Sequence, residues 1–149
     1  MALGLANLYL SLPRSFDGGL ARLGGLSLVA GVAVAEALQS LGIDGLRLKW
    51  PNDLVIAECD GLRKLGGLLV EGGGEHAGPV RAVIGLGINV RMPDAHARSI
   101  EQPWTDLATL ARGGELPSRN RIVAAVLAVL LPALESFDRD GLPAFLSRY

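Results

Sequence analysis

Residues 46–71 read LRLKWPNDLVIAECDGLRKLGGLLVE. Leu46, Leu48 and Trp50 alternate with Arg47 and Lys49, the period-two pattern of a half-buried strand. Pro51-Asn52-Asp53 interrupts it with turn chemistry. Leu54 to Ala57 resumes as a strand, and Asp60-Gly61 is a strong hairpin signal. Lys64 to Glu71 is then the return strand, broken by Gly66-Gly67. A strand that turns over a short loop and comes back pairs antiparallel.

The flanks extend this pattern. Upstream, Leu8, Leu10 and Leu12 alternate with Asn7, Tyr9 and Ser11, which predicts a strand that Pro13 ends. Leu26 to Leu41 is apolar nearly all round, a well-buried helix, and Gly42 fits the position just past its end. Downstream, Gly72-Gly73-Gly74 and the residues to Gly78 read as a flexible loop. Val80 to Val90 is a further strand carrying Gly85 and Gly87. Trp104 to Arg112 predicts a short helix. Ser118 is an N-cap for a long helix to about Phe137, which Pro132 should kink or divide. Gly141-Leu142-Pro143 opens a last helix. The fold class is α/β of the α+β type: a mixed, largely antiparallel sheet flanked by helices.

Composition excludes several functions. The chain has 149 residues, half of them hydrophobic, too apolar for a disordered segment. Fourteen basic against fifteen acidic residues give a net charge of −1, so a basic nucleic-acid footprint is absent. One cysteine, Cys59, excludes an internal disulfide framework and an all-cysteine zinc site. His76 and His96, each read as a loop residue, are too few for a histidine-rich metal site. Mean hydropathy is +0.36, yet the most apolar run, Leu26 to Leu38, falls short of a membrane span. No charged segment of a signal peptide precedes it, and the default location is cytoplasmic. Trp50 and Trp104 read as core or interface residues rather than stacking platforms.

Only two of the fourteen basic residues are lysines, Lys49 and Lys64, and both stand in polar clusters. In the first, a strand delivers Lys49 and a turn presents Asn52 and Asp53. Ammonium, amide and carboxylate at a strand end suit an anionic ligand with a metal ion, although Pro-Asn-Asp is also good turn chemistry by itself. In the second, Lys64 precedes Gly66 and Gly67, where a backbone can approach a ligand closely; a bulge beside an exposed lysine is the plainer reading. The third, Ile84-Gly85-Leu86-Gly87-Ile88-Asn89, mimics the start of a dinucleotide fingerprint, but the third glycine and the following helix are missing. Asn89 ends that strand with an amide able to read a base edge.

In this order and spacing the three clusters resemble the catalytic domain of biotin protein ligases, the biotin–[acetyl-CoA-carboxylase] ligases. Ala6-Asn7-Leu8-Tyr9-Leu10-Ser11 and the segment from Gly141 to Tyr149 also look like the family's flanking segments. The resemblance implies an ATP-dependent ligase that joins biotin and ATP into biotinyl-5′-adenylate and then biotinylates a lysine of a carboxylase's biotin carboxyl carrier domain. It implies catalytic roles for Lys64, which would hold the biotin carboxylate and the α-phosphate, and for Asp53, which would bind Mg²⁺ or orient the acceptor amine. Gly66, Gly67, Gly85 and Gly87 would pack around biotin together with Lys64, while Lys49, Asn52 and Asn89 would serve the nucleotide, Asn89 at the adenine. The wider fold it implies is that of class II tRNA synthetases.

The departures are equally specific. The Gly/Arg-rich loop that family members carry before this point does not occur, nor does the β-barrel domain that follows, nor the DNA-binding helix-turn-helix of bifunctional members. Residues 1–149 therefore read as a partial catalytic domain, feebly active or inactive by itself, with no nucleic-acid or membrane partner. A homodimer through a sheet edge is one assembly the resemblance implies. Two alternatives stand beside it: a non-catalytic remnant or interaction module of the same fold, with exposed apolar patches, and a lipoate-type ligase using the same adenylate chemistry.

Overall fold

A computed structural model describes residues 7–74, 78–111 and 114–149. Five strands, β1 (Leu8–Phe16), β2 (Leu46–Lys49), β3 (Asp53–Glu58), β4 (Gly61–Gly74) and β5 (Val80–Ile88), form one sheet in the order β1-β5-β4-β3-β2. Every neighbouring pair of these strands is antiparallel. Helices α1 (Leu26–Ser40) and α4 (Arg119–Asp140) pack on each other and on the sheet. Two one-turn helices, α2 (Asp94–Ala97) and α3 (Leu107–Leu110), lie in the connection between β5 and α4.

The period-two pattern becomes two faces. On β5, Val80, Ala82, Ile84, Leu86 and Ile88 are buried, while Arg81 and Val83 between them are exposed. The inward row joins Leu8, Phe16, Leu68 and the apolar sides of α1 and α4 in one core. Phe16 meets Phe137 of α4 edge to face at 5.9 Å, which ties the first strand to the last long helix. Ten of the fifteen residues of α1 are buried, which accounts for its apolarity on all sides. Gly42 caps it at φ 84°, with Ile43 N–H donating to the Leu38 carbonyl, as its position predicts. Ser118 likewise caps α4 through Arg121 N–H.

Several sequence expectations change. Pro13 does not end β1, which runs three residues further; β1 is an edge strand, where a missing N–H is tolerated. Gly72, Gly73 and Gly74 are not loop but pair with Ala82, Arg81 and Val80; the ladder holds the backbone whatever the side chain. Pro132 does not divide α4. Both Pro132 and Ala128, whose carbonyl loses its partner, are exposed, so water can take the bond. The helix expected from Trp104 starts only at Leu107, because Asp106 is its N-cap. The last helix is a 3₁₀ turn, Leu142–Phe145. His96 sits on α2 rather than in a loop, and His76, Arg112 and Gly113 lie outside the described residues.

Candidate active site

The register lines up five residues across the sheet: Lys49 opposite Asp53, Asp53 opposite Gly67, Gly67 opposite Gly87, and Gly87 opposite Tyr9. Cross-strand partners share a face. This row runs on the side away from α1 and α4, where Tyr9, Ser11 and Leu69 are exposed. Two adjacent glycines in its middle remove two side chains from the floor. The outcome is a shallow trough of about 310 Å³ lined by Tyr9, Ser11, Gly67, Leu69, Gly85 and Gly87. None of Gly66, Gly67, Gly85 and Gly87 has a positive φ, so room rather than backbone conformation is what glycine supplies there.

Lys64 reaches this face through an irregularity. With Asp53 opposite Gly67, an unbroken ladder would set Leu65 opposite Val55 and turn Lys64 toward the helices. Leu54 still pairs with Gly66, but Val55 pairs with Lys64, and Leu65 is left over. This β-bulge sends Leu65 fully into the core and Lys64 to the open side. There its Nζ lies 2.7 Å from Asp53 Oδ1. The two side chains remain 32 % and 26 % exposed, so the pair adds little to stability. What it does is hold one ammonium and one carboxylate at the edge of the trough: Lys64 Cε lies 3.7 Å from where a Cβ on Gly67 would stand.

The other predicted site residues divide. Lys49 ends the row and is exposed. Gly66 does not line the trough; it is buried, and a Cβ there would overlap the Gly87 carbonyl oxygen. It lets β4 and β5 approach at the bulge. Asn52 is engaged with the main chain: its carbonyl accepts Leu68 N–H at 2.8 Å and its amide nitrogen donates to the Leu68 carbonyl. That clasp fastens the turn after β2, with its cis Trp50–Pro51 bond, onto β4. The Asn89 amide nitrogen donates to the Thr105 carbonyl at 3.1 Å and to the Lys64 carbonyl at 3.4 Å.

Trp50 is not a core residue but 78 % exposed, while Trp104 is half-buried. Cys59 is exposed at the hairpin turn. A cavity of about 700 Å³ lies away from the trough, between that hairpin and residues 100–105. In its wall Arg63 is held charged, its guanidinium stabilised first by the hydrogen bond it donates to Glu58 and then by the charge of Asp60. Sequence reading missed Tyr9, which closes the far end of the row, and the segment Pro103–Thr105, which flanks Lys64. It also missed Asp106, a buried carboxylate that accepts N–H bonds from Thr109 and Met92, each at 2.7 Å. The Tyr9–Ser11 alternation marked the right face; only pairing shows what stands opposite.

A profile of the Biotin/lipoate A/B protein ligase family matches residues 7–89, the range that holds the whole row, the bulge and Asn89. The chain belongs to this family. The bifunctional ligase/repressor BirA of Salmonella typhimurium is 42 % identical over 144 residues, which are 97 % of this chain and 43 % of BirA. A biotin protein ligase variant from Aquifex aeolicus, solved in complex with biotin, superposes with a TM-score of 0.72 at 26 % identity, covering 96 % of this chain and 56 % of that one. A lipoate protein ligase from Thermoplasma acidophilum shares the fold, with a TM-score of 0.62 at 18 % identity over 88 % of this chain and 52 % of that one. The chain thus spans about half the length of the relatives it matches.

Proposed function

We propose that this chain carries the acid-activating site of a biotin protein ligase. In that reaction the biotin carboxylate attacks the α-phosphate of ATP, pyrophosphate leaves, and biotinyl-5′-adenylate forms. A lysine amine of a biotin carboxyl carrier domain then attacks the anhydride carbonyl, and AMP leaves. The observation that carries the reading is the Lys64–Asp53 pair beside a glycine floor.

The first step brings two anions together, so fixed positive charge is the main requirement. The Lys64 ammonium stands beside the trough, where it can exchange Asp53 for a carboxylate or phosphate oxygen. Leu69, Gly67, Gly85 and Gly87 offer an apolar, side-chain-poor bed for a fused bicyclic ring. Asp53 restrains the ammonium before ligand arrives and then becomes available to a cation or to the incoming amine. Among the described residues no group of three or more metal-ligating side chains exists. One carboxylate fits Mg²⁺ only when ATP phosphates supply the remaining ligands, the usual mode for this ion. Bound in that way, Mg²⁺ would neutralise phosphate charge.

The test is thermal-shift and calorimetric titration of the 149-residue chain with biotin, lipoate and a non-hydrolysable biotinyl-adenylate analogue. Stabilisation by biotin, larger with the analogue and absent with lipoate, is the expected result. A response to lipoate alone moves the chain to the lipoate branch of the family. No response to any of the three overturns the reading.

A second reading, a non-catalytic interaction module, is favoured by one observation. Tyr9, Leu69 and Val83 stand 76 %, 57 % and 41 % exposed on the open face. It requires concentration-dependent self-association in sedimentation runs without any ligand response.

A further inference from the structure

We propose that Asn89 is a positioning residue for Lys64: it holds the bulge that sets the ammonium on the open face. The local wiring carries this. β5 ends at Ile88, whose partner is Gly66, so β4 loses its β5 neighbour just where the bulge begins. Three segments meet in the gap. Lys64 N–H donates to the Pro103 carbonyl, and Thr105 N–H donates to the Lys64 carbonyl, each at 2.9 Å. Asn89 N–H donates to the Leu65 carbonyl at 2.8 Å. The Asn89 side-chain nitrogen then bridges the two carbonyls that converge there, those of Lys64 and Thr105. The Asn89 carbonyl in turn accepts Leu107 N–H at 3.0 Å, which anchors the residue to the start of α3.

The carbonyl of Lys64 is thus held from two sides, by Thr105 N–H and by the Asn89 amide. Fixing it fixes the peptide plane between Lys64 and Leu65, and that plane decides which way each side chain leaves the strand. An aspartate would present negative charge to two carbonyls, and an apolar residue would leave them facing each other unbridged. A side chain with a double donor is what the position uses.

The inference rests on the reading that the Lys64 charge serves the ligand, but it is tested without ligand, so the two can fail separately. With only Lys49 and Lys64 in the chain, [¹⁵N]lysine labelling gives two side-chain ammonium signals. Lys49 makes no ion pair among the described residues and serves as the internal reference. Asp53→Ala calibrates the Lys64 signal with its partner removed. In Asn89→Ala we expect the Lys64 signal to move most of the way to that calibrated position, with Lys49 unmoved and the backbone spectrum native outside residues 64–66, 88–90 and 103–107. Asn89→Ser, which keeps one donor, should fall between. A wild-type Lys64 signal in folded Asn89→Ala overturns the proposal. So does loss of the native spectrum in both variants, which would make Asn89 a residue of the fold rather than of Lys64.

Discussion

The adjacent glycines Gly66 and Gly67 are used in opposite ways on the two sides of one sheet. Gly66 is buried at the bulge, and any Cβ there runs into the backbone of β5. Gly67 faces the open trough, where a Cβ would meet Asp53 Oδ1 and the Asn52 carbonyl at 3.4 Å, close but not overlapping. At Gly66 the backbones of β4 and β5 leave no room for a side chain, and glycine there answers a packing demand. The open face is left empty, and glycine there answers a demand for space beside a charge. The same residue type, side by side, is a core element in one case and a site element in the other.

The sharpest way to break this contrast is at the charge. In a version completed with the family segments that this chain lacks, Lys64→Ala should lower biotin-dependent ATP–pyrophosphate exchange by ~10²–10³-fold, as loss of one electrostatic stabiliser does; unchanged exchange would remove Lys64 from the mechanism. Next comes the packed side. Gly66→Ala should cost about 1–3 kcal/mol, as overpacking does, and lower the urea midpoint; a wild-type midpoint would show that β4 and β5 can part there without cost. Asp106→Ala, which uncaps α3 and frees Met92 N–H, should cost about 1–2 kcal/mol in the same measurement, with ligand affinity preserved because Asp106 lies off the trough. The smallest effect on stability belongs to the open side. A Cβ on Gly87 would touch only the Tyr9 ring, at 3.7 Å, so Gly87→Ala should change stability by no more than about 0.5 kcal/mol. It should nevertheless weaken binding of the biotinyl-adenylate analogue in calorimetry; full affinity would mean the ligand does not lie over the glycine pair.

Most of the fold is legible because its strands alternate and its turns carry specific residues. Asp60-Gly61, Gly42 and Ser118 each mark a boundary that the structure keeps. The misreadings share one cause. Pro13 and Gly72–Gly74 were judged by local propensity, whereas strand pairing decides what those positions tolerate. Trp50 was read by residue type as core or interface; it is not core, since it sits on an exposed turn beyond the last rung of β2.

The chemistry divides in the same way. Sequence alone determined which residues carry charge and which lack side chains: two lysines among fourteen basic residues, Asp53 after a turn, and paired glycines in two strands. Tertiary structure alone decided that they meet. Strand alternation counted along β4 puts Lys64 on the side opposite Gly67, away from Asp53; one unpaired residue, Leu65, reverses that. The glycine pair offers a bulge as one reading of the sequence, but which residue is left unpaired is a property of two paired strands and of the segments that hold its carbonyls.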